Sequence, residues 1–253
     1  MMLEQVLRAT AGRVAGLPRA EEYPLPPPSS SRSLNEAIHQ KKPGNRIIAE
    51  IKYASPSAGT IRRGGDPAGF ARDFARAGAT ALSVLTEPYY FQGDAAFLPA
   101  IRPHVDLPLL RKDFIIDERQ LAESRALAAD AVLLIAGVLG DRLGDMVDLA
   151  FAYGLEPLVE VHAAHEVQEV LSTGTRLAGI NNRDLRTFRI NLGTTMKLSP
   201  LLREGGITVV SESGILWPYD IRILRPSADA FLVGSTIMRA QNPGQRLEGL
   251  IRG

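Results

Sequence analysis

The sequence predicts a (β/α)₈ barrel with an N-terminal helical extension, and two patterns carry that expectation. From Arg46 onward, short β-rich apolar runs alternate with longer amphipathic stretches, and eight such pairs fit into about 210 residues, the size of one barrel. The runs are apolar almost without interruption, as strands are when a parallel sheet is buried on both faces. A doubly wound open sheet is the competing architecture, but it usually has fewer units and a glycine-rich first turn, which is absent here. The expectation is one domain over residues 1–253, of which 1–45 form a helical appendage.

In chain order, Met1 to about Leu17 sets Leu3, Val6, Leu7, Val14 and Leu17 near one helical face. Pro24, Pro26, Pro27 and Pro28, followed by Ser29, Ser30 and Ser31, can neither continue a helix nor join a ladder, so an extended connection is expected. Ser33 with Glu36 three residues on reads as a capping box opening a short helix. Strands are expected at Ile47–Ile51, Ala81–Leu85, Leu107–Leu110, Ala131–Ile135, Pro157–Val161, Leu177–Ile180, Thr208–Ser211 and Ala230–Val233. The helices between them fall near Pro67–Ala77, Ala95–Ile101, Glu118–Leu127, Arg142–Tyr153, His165–Leu171, Thr194–Leu202, Tyr219–Leu224 and Pro243–Ile251.

Composition removes several functions. With 253 residues and 45% hydrophobic content, a sizeable core is expected, while 29 basic against 28 acidic residues leave +1. Such a balance supplies no field for nucleic acid or a lipid surface. The absence of cysteine excludes disulfides, thiolate catalysis, iron–sulfur clusters and thiolate zinc sites, and fits a reducing compartment. Apolar stretches such as Ala131–Val138 fall short of the ~18 residues of a membrane span. The N-terminus, with Glu4 and Arg8, lacks a signal peptide's apolar centre, so a cytoplasmic protein is expected.

In a barrel, function sits where the strands end at their C-terminal side. The ends read Glu50-Ile51-Lys52, Thr86-Glu87, Arg111-Lys112-Asp113, Glu160, Asn181-Asn182-Arg183, Ser211-Glu212-Ser213-Gly214 and Gly234-Ser235. Residues two apart on a strand face the same way, which pairs Glu50 with Lys52, Leu110 with Lys112, Leu158 with Glu160, Asn181 with Arg183 and Val210 with Glu212. Three carboxylates, two ammonium groups, a guanidinium and an amide are therefore expected around one mouth, where they would shift one another's pKa values and support acid–base chemistry. Lysine is scarce: of Lys41, Lys42, Lys52, Lys112 and Lys197, two lie at these strand ends, where an ammonium suits proton transfer and a guanidinium does not.

The Gly/Ser turns after the seventh and eighth runs occupy the usual phosphate position of barrel enzymes, with backbone N–H groups and serine hydroxyls as donors. Ser55-Pro56-Ser57-Ala58-Gly59 opens a long first loop, read either as a mobile lid or as a rigid turn. Tyr89, Tyr90, Phe91 and Phe114 either line a pocket for a planar ring or cover the barrel end. His162 and His165 read as a surface helix start rather than metal ligands, and His39 and His104 as solvent-facing.

With these motifs in order, the chain resembles the indole-3-glycerol phosphate synthase family over nearly its whole length. The carriers are Ile48-Ala49-Glu50-Ile51-Lys52 with Ser55-Pro56-Ser57, Leu85-Thr86-Glu87 with Tyr90-Phe91-Gln92-Gly93, Lys112-Asp113-Phe114-Ile115, Val132-Leu133-Leu134-Ile135, Glu160-Val161, Gly179-Ile180-Asn181-Asn182-Arg183-Asp184-Leu185, Ser211-Glu212-Ser213-Gly214-Ile215 and Phe231-Leu232-Val233-Gly234-Ser235. The resemblance implies a lyase of tryptophan biosynthesis that closes 1-(2-carboxyphenylamino)-1-deoxyribulose 5-phosphate to an indole, releasing CO₂ and water, with no cofactor and no metal. It implies Lys112 as general acid for ring closure, Glu160 in the dehydration, and Lys52 as anion anchor or proton source, with Glu50, Asn181 and Glu212 orienting and tuning them. Ser213, Gly214, Gly234 and Ser235 would hold the phosphate, with Lys52 or Arg183 nearby, and Phe91, Phe114, Leu133 and Leu185 would enclose the ring, Ser55 also lining the site. Departures from the family are Tyr53 and Ala58, where lysine is frequent, and Trp217-Pro218, where the seventh helix more often starts polar. The expected partner is the small phosphorylated substrate alone, neither nucleic acid nor membrane, in a monomer whose contacts with pathway enzymes are transient. Two other functions stay open at this point: a lyase forming a Schiff base on Lys112, and a silent barrel that keeps only the phosphate site.

Overall fold

The computed structural model describes residues 2–24, 32–184 and 187–253. Eight parallel strands, β1 (Ile47–Ile51), β2 (Ala81–Leu85), β3 (Leu109–Lys112), β4 (Ala131–Ile135), β5 (Glu156–Val161), β6 (Leu177–Asn181), β7 (Thr208–Glu212) and β8 (Ala230–Val233), close into a barrel. Each strand pairs with its sequence neighbours, and the ring is sealed where Ile47, Ile48 and Ala49 of β1 pair with Phe231, Leu232 and Val233 of β8. This is the barrel expected from the sequence, not an open sheet.

Four strands begin and end where the sequence places them. The others differ for local reasons. Pro108 lacks an N–H, so β3 starts only after it, at Leu109, and runs on because Arg111 and Lys112 pair with Val84 and Leu85. β5 gains Glu156, which pairs with Ala131. Likewise β6 and β7 extend through Asn181 and Glu212, which pair with each other. The polar strand ends thus belong to the ladder, which holds their directions more rigidly than a loop would.

Alternation along the strands sorts the apolar residues into two cores. Ile48, Leu110, Leu133, Leu158, Val210 and Leu232 fill the barrel interior, while Ile47, Ala49, Leu109, Val132, Val159 and Val209 pack outward. Two helices precede the strands, α1 (Met2–Ala15) and α2 (Leu34–His39). The outer layer is covered by α3 (Pro67–Arg76), α4 (Phe97–Ile101), α5 (Glu118–Ala126), α6 (Leu143–Ala152), α7 (Ala164–Leu171), α8 (Gly193–Glu204), α9 (Pro218–Leu224) and α10 (Pro243–Arg252), all within a few residues of expectation.

The two N-terminal helices serve opposite ends of the barrel. Ser33 caps α2 by accepting from the Glu36 amide at 3.0 Å, which is one of the two bonds of the expected capping box. The Glu156 carboxylate, at the start of β5, accepts from the Leu34 and Asn35 amides and from the Ser33 hydroxyl. Leu34 and Ile38 join the interior core, so α2 plugs the N-terminal end of the barrel. His39, expected to face solvent only, is exposed but lies 2.9 Å from the Thr208 hydroxyl at the start of β7. At the other end, α1 buries Val6, Thr10 and Val14, and Arg13 forms a 2.7 Å ion pair with Asp113, just past β3. Of the connection expected from Pro24 to Ser31, residues 25–31 lie outside the described residues. Among the described residues, no helix is long and apolar enough to cross a membrane.

Leu34 is wholly buried. Leu34→Ala is expected to cost ~2–5 kcal/mol, seen as a lowered urea midpoint with an unchanged slope. A cost under ~1 kcal/mol would mean that the interior does not depend on α2.

Candidate active site

At the C-terminal end of the barrel lies a cavity of about 390 Å³. Glu50, Lys52, Ser55, Phe91, Lys112, Phe114, Leu133, Glu160, Asn181, Arg183, Glu212, Ser213, Gly214, Gly234 and Ser235 all line it. Leu185, expected against the ring, lies outside the described residues. The side chains converge because inward positions recur every second residue: Glu50, Lys112, Glu160, Asn181 and Glu212 occupy the last inward positions of five different strands.

Lys112 occupies the middle. Its ammonium lies 3.0 Å from Oε2 of Glu160 and 3.4 Å from Oε2 of Glu212. Oε1 of Glu160 accepts from the Asn181 amide at 3.0 Å, and the Asn181 carbonyl accepts from the Arg183 amide at 3.0 Å. Lys52, just past β1, pairs with Glu50 at 2.5 Å. Glycine makes room for two of these carboxylates: a Cβ at Gly179 would collide with Oε1 of Glu212, and one at Gly234 with Oε1 of Glu50.

Burial alone would lower the Lys112 pKa, but Glu160, Glu212 and Glu50 around it raise it, so the ammonium is held charged. Glu160 is likewise penalised by burial, yet Lys112, His162 and the Asn181 bond outweigh this and keep its carboxyl below the usual range. Glu212 goes the other way. Its burial, with Glu160 and Glu50 nearby, outweighs the attraction of Lys112 and pushes it up to about 8. The contact with Lys112 and the raised pKa are compatible, because 3.4 Å is an unbonded approach and Oε1 of Glu212 has no hydrogen-bond partner among the described residues. Three carboxylates face two ammonium groups here, and leaving Glu212 protonated balances the charge. Two buried carboxyls driven apart in this way form a base and an acid at neutral pH.

Toward the eighth strand, Ser213 and Gly214 have positive φ of 65° and 84°, and Gly234 precedes a short helix at Ser235–Met238. Their backbone amides and serine hydroxyls are of the kind that receives phosphate. The Asn182 side-chain amide donates to Ser211 Oγ and to the carbonyls of Glu212 and Ser213, fixing the turn. On the opposite side the Phe91 and Phe114 rings stand 6.2 Å apart, tilted by 44°, along the cavity wall, whereas Tyr89 is exposed. The first loop folds as a small hairpin, Ala54–Ser55 against Gly59–Thr60. Tyr53, where lysine is frequent in the family the chain resembles, packs against Phe70 and Phe97 and donates to the Gly65 carbonyl, so its role is structural. Thr86 and Glu87 also serve structure: the hydroxyl donates to Asp113, and the carboxylate accepts three amides of the turn at Pro88–Phe91.

Some lining residues lie beyond sequence reasoning. Met2, Leu3 and Val6 of α1 face the cavity, as do Leu216 and Arg239. Periodicity marks α1 as amphipathic without naming what its apolar face covers. His162, expected at a surface helix start, instead stands behind Glu160 with Nε2 3.3 Å from Oε1. Its spacing of two from Glu160 is the available signal. Among the described residues, no cluster of three or more acidic or histidine side chains is arranged for a metal ion.

The family model for indole-3-glycerol phosphate synthase matches residues 15–250. The indole-3-glycerol phosphate synthase of Carboxydothermus hydrogenoformans is 46% identical over 87% of this chain and 84% of that protein. The one from an Azoarcus species is 44% identical over 98% of this chain and 94% of that protein. Among solved structures, KGPDC from Streptococcus mutans superposes with a TM-score of 0.61 at 14% identity, covering 83% of this chain and 96% of that one, a likeness of fold alone.

Carbon-13 NMR of labelled glutamate is expected to show one carboxyl titrating at about 8, absent from Glu212→Gln. Because the folded chain binds this proton more tightly than the unfolded chain, the stability it adds is lost as pH rises through that value. A Glu212 carboxyl titrating in the ordinary range, below about 5, would contradict the charge balance.

Proposed function

Since the chain belongs to the indole-3-glycerol phosphate synthase family and is a carboxy-lyase of tryptophan biosynthesis, we propose how its cavity performs the ring closure. The substrate is 1-(2-carboxyphenylamino)-1-deoxyribulose 5-phosphate. Its phosphate rests on Ser213, Gly214, Gly234 and Ser235, and its aryl ring lies between Phe91, Phe114 and Leu133, which sets the ketone beside Lys112. Lys52 and Arg183 supply the positive charge that a phosphate and a carboxylate require.

As the aryl carbon attacks the ketone, the oxygen becomes an alkoxide, far more basic than an amine, and Lys112 gives it a proton despite its carboxylate neighbours. Loss of CO₂ returns the electron pair to the ring and restores aromaticity. The hydroxyl then leaves as water with a proton from Lys52, and Glu160, ionised at rest, removes the proton from the adjoining carbon to form the indole double bond. Glu50 holds Lys52, Asn181 holds Glu160, and Glu212 stays neutral beside Lys112. Two protons are given and one is taken, so one net proton enters per turnover when the substrate carboxylate starts ionised.

The observation that carries this reading is Lys112, bonded to Glu160 and facing Glu212, at the centre of a cavity that has the Gly/Ser turns on one side and aromatic rings on the other. The same ion pairing disfavours a Schiff-base role, which needs the free amine. The enzyme is expected to work as a cytoplasmic monomer, with no added metal or nucleotide.

Turnover followed by indole fluorescence tests the reading. Lys112→Ala should keep its circular dichroism spectrum and lose turnover by ~10²-fold or more; near-normal activity would overturn the assignment. Glu160→Gln should slow the reaction and accumulate a cyclised, decarboxylated intermediate in quenched samples. Unchanged kinetics there would remove Glu160 from the dehydration.

A further inference from the structure

His162 lies just past β5, on the same side as Glu160, yet does not line the cavity. Its Nε2 is buried 3.3 Å from Oε1 of Glu160, not aligned as a formed hydrogen bond and with no other partner among the described residues. Behind the ring, Nδ1 lies 3.9 Å from Oε2 of Glu166 on α7. Glu166 is itself held in place, because it accepts from the His162 and Ala163 amides. Gly137, in the short helix after β4, leaves room for Oε1 of Glu166, with which a Cβ would collide. Oε1 of Glu160 is therefore approached by two side chains, the Asn181 amide at 3.0 Å and the His162 imidazole, while Oε2 faces the Lys112 ammonium at 3.0 Å.

This asymmetry answers a need of the reaction. Once Lys112 has given its proton to the ketone it is a neutral amine, so the cation that held Glu160 ionised is gone just before Glu160 must act as the base. Glu212, kept protonated by its burial and by the nearby charges of Glu160 and Glu50, could then pass its proton to Glu160 and consume the base. Donors on a carboxylate favour its charged form. Oε1 of Glu160 has Asn181 and His162 on it, whereas Oε1 of Glu212 has no hydrogen-bond partner among the described residues. We propose that His162 is a positioning residue for the dehydration. With Nε2–H turned to Oε1 and Glu166 behind Nδ1, it keeps the charge on Glu160 while Lys112 is neutral, and it leaves Oε2 as the oxygen that takes the proton from carbon. Such contacts are commonly long in a free enzyme and tighten once substrate is bound. His162 neither gains nor loses a proton in this role, and Glu160 afterwards returns the proton it has taken to Lys112. The inference rests on the role given to Glu160 above. The titratable groups facing Glu160 are Lys112 from β3, Glu212 from β7 and His162; those facing His162 are Glu160 and Glu166.

The test separates the two halves of the reaction in single turnovers, with CO₂ release reporting ring closure and decarboxylation and indole fluorescence reporting dehydration. In His162→Ala, CO₂ release should keep its rate while indole formation slows by ~10-fold, about the worth of one hydrogen bond to a charged group, and the cyclised, decarboxylated intermediate should accumulate. KM should change little, because the ring does not line the cavity. His162→Gln, whose amide can donate to Oε1, should recover most of the loss. The acid limb of the dehydration rate should move to higher pH in His162→Ala, since a Glu160 that has lost a donor binds its proton more tightly. Equal slowing of both steps, an unmoved acid limb, or a His162→Gln no faster than His162→Ala would overturn the assignment. Should His162→Ala fail to fold, His162→Leu, apolar and closer in size to histidine, takes its place. Unchanged kinetics in Glu160→Gln would instead sink the reading beneath, whereas a slow Glu160→Gln beside a normal His162→Ala would sink the positioning role alone.

Discussion

A lysine ammonium held inside a protein between two carboxyl groups is the constraint around which this molecule is arranged. Burial opposes the charges of Lys112 and Glu160, and their proximity to each other offsets that cost, while Glu212 stays protonated beside them. Proximity in turn requires side chains from β3, β5 and β7 to meet at one height, which a closed ring of strands with fixed register provides and a set of independent loops would not. The glycine at 179 belongs to the same requirement, since any side chain there would take the place of the Glu212 carboxylate.

Stability and chemistry are divided between the two ends of the barrel. At the N-terminal end, α2 inserts Leu34 and Ile38 and meets polar partners at the starts of β5 and β7. At the C-terminal end the interior is polar, and α1 presents Met2, Leu3 and Val6 to the cavity while Arg13 ties it to Asp113. Asp113 is itself bonded to Thr86 and Arg111, so the residue beside Lys112 is held from three directions.

Much of this is legible in the amino-acid order. Strict alternation tells which residues point inward, and Glu50, Lys112, Glu160, Asn181 and Glu212 can be placed at one mouth because each strand carries its polar residue near its last inward position. What stays hidden depends on contacts far apart in the chain. Nothing local to Arg13 reveals Asp113, and nothing local to Glu156 reveals the amides of Leu34 and Asn35. His162 escapes because a polar residue before a helix is ordinarily a surface feature, and only the direction of β5 shows that it turns back toward Glu160. The ends of β3, β6 and β7 lie beyond their expected positions because polar letters usually begin a loop, whereas here the ladder continues through them.

The seam between β1 and β8 has a consequence for biogenesis. A chain emerging from the ribosome presents Ile47–Ile51 well before one of that strand's two partners, Ala230–Val233, has been translated. Until then the growing sheet has two open edges, each able to pair with a foreign strand. Closure by such distant segments is slow and exposed to aggregation, so a nascent chain of this topology is a natural client for chaperones that shield unfinished β-edges.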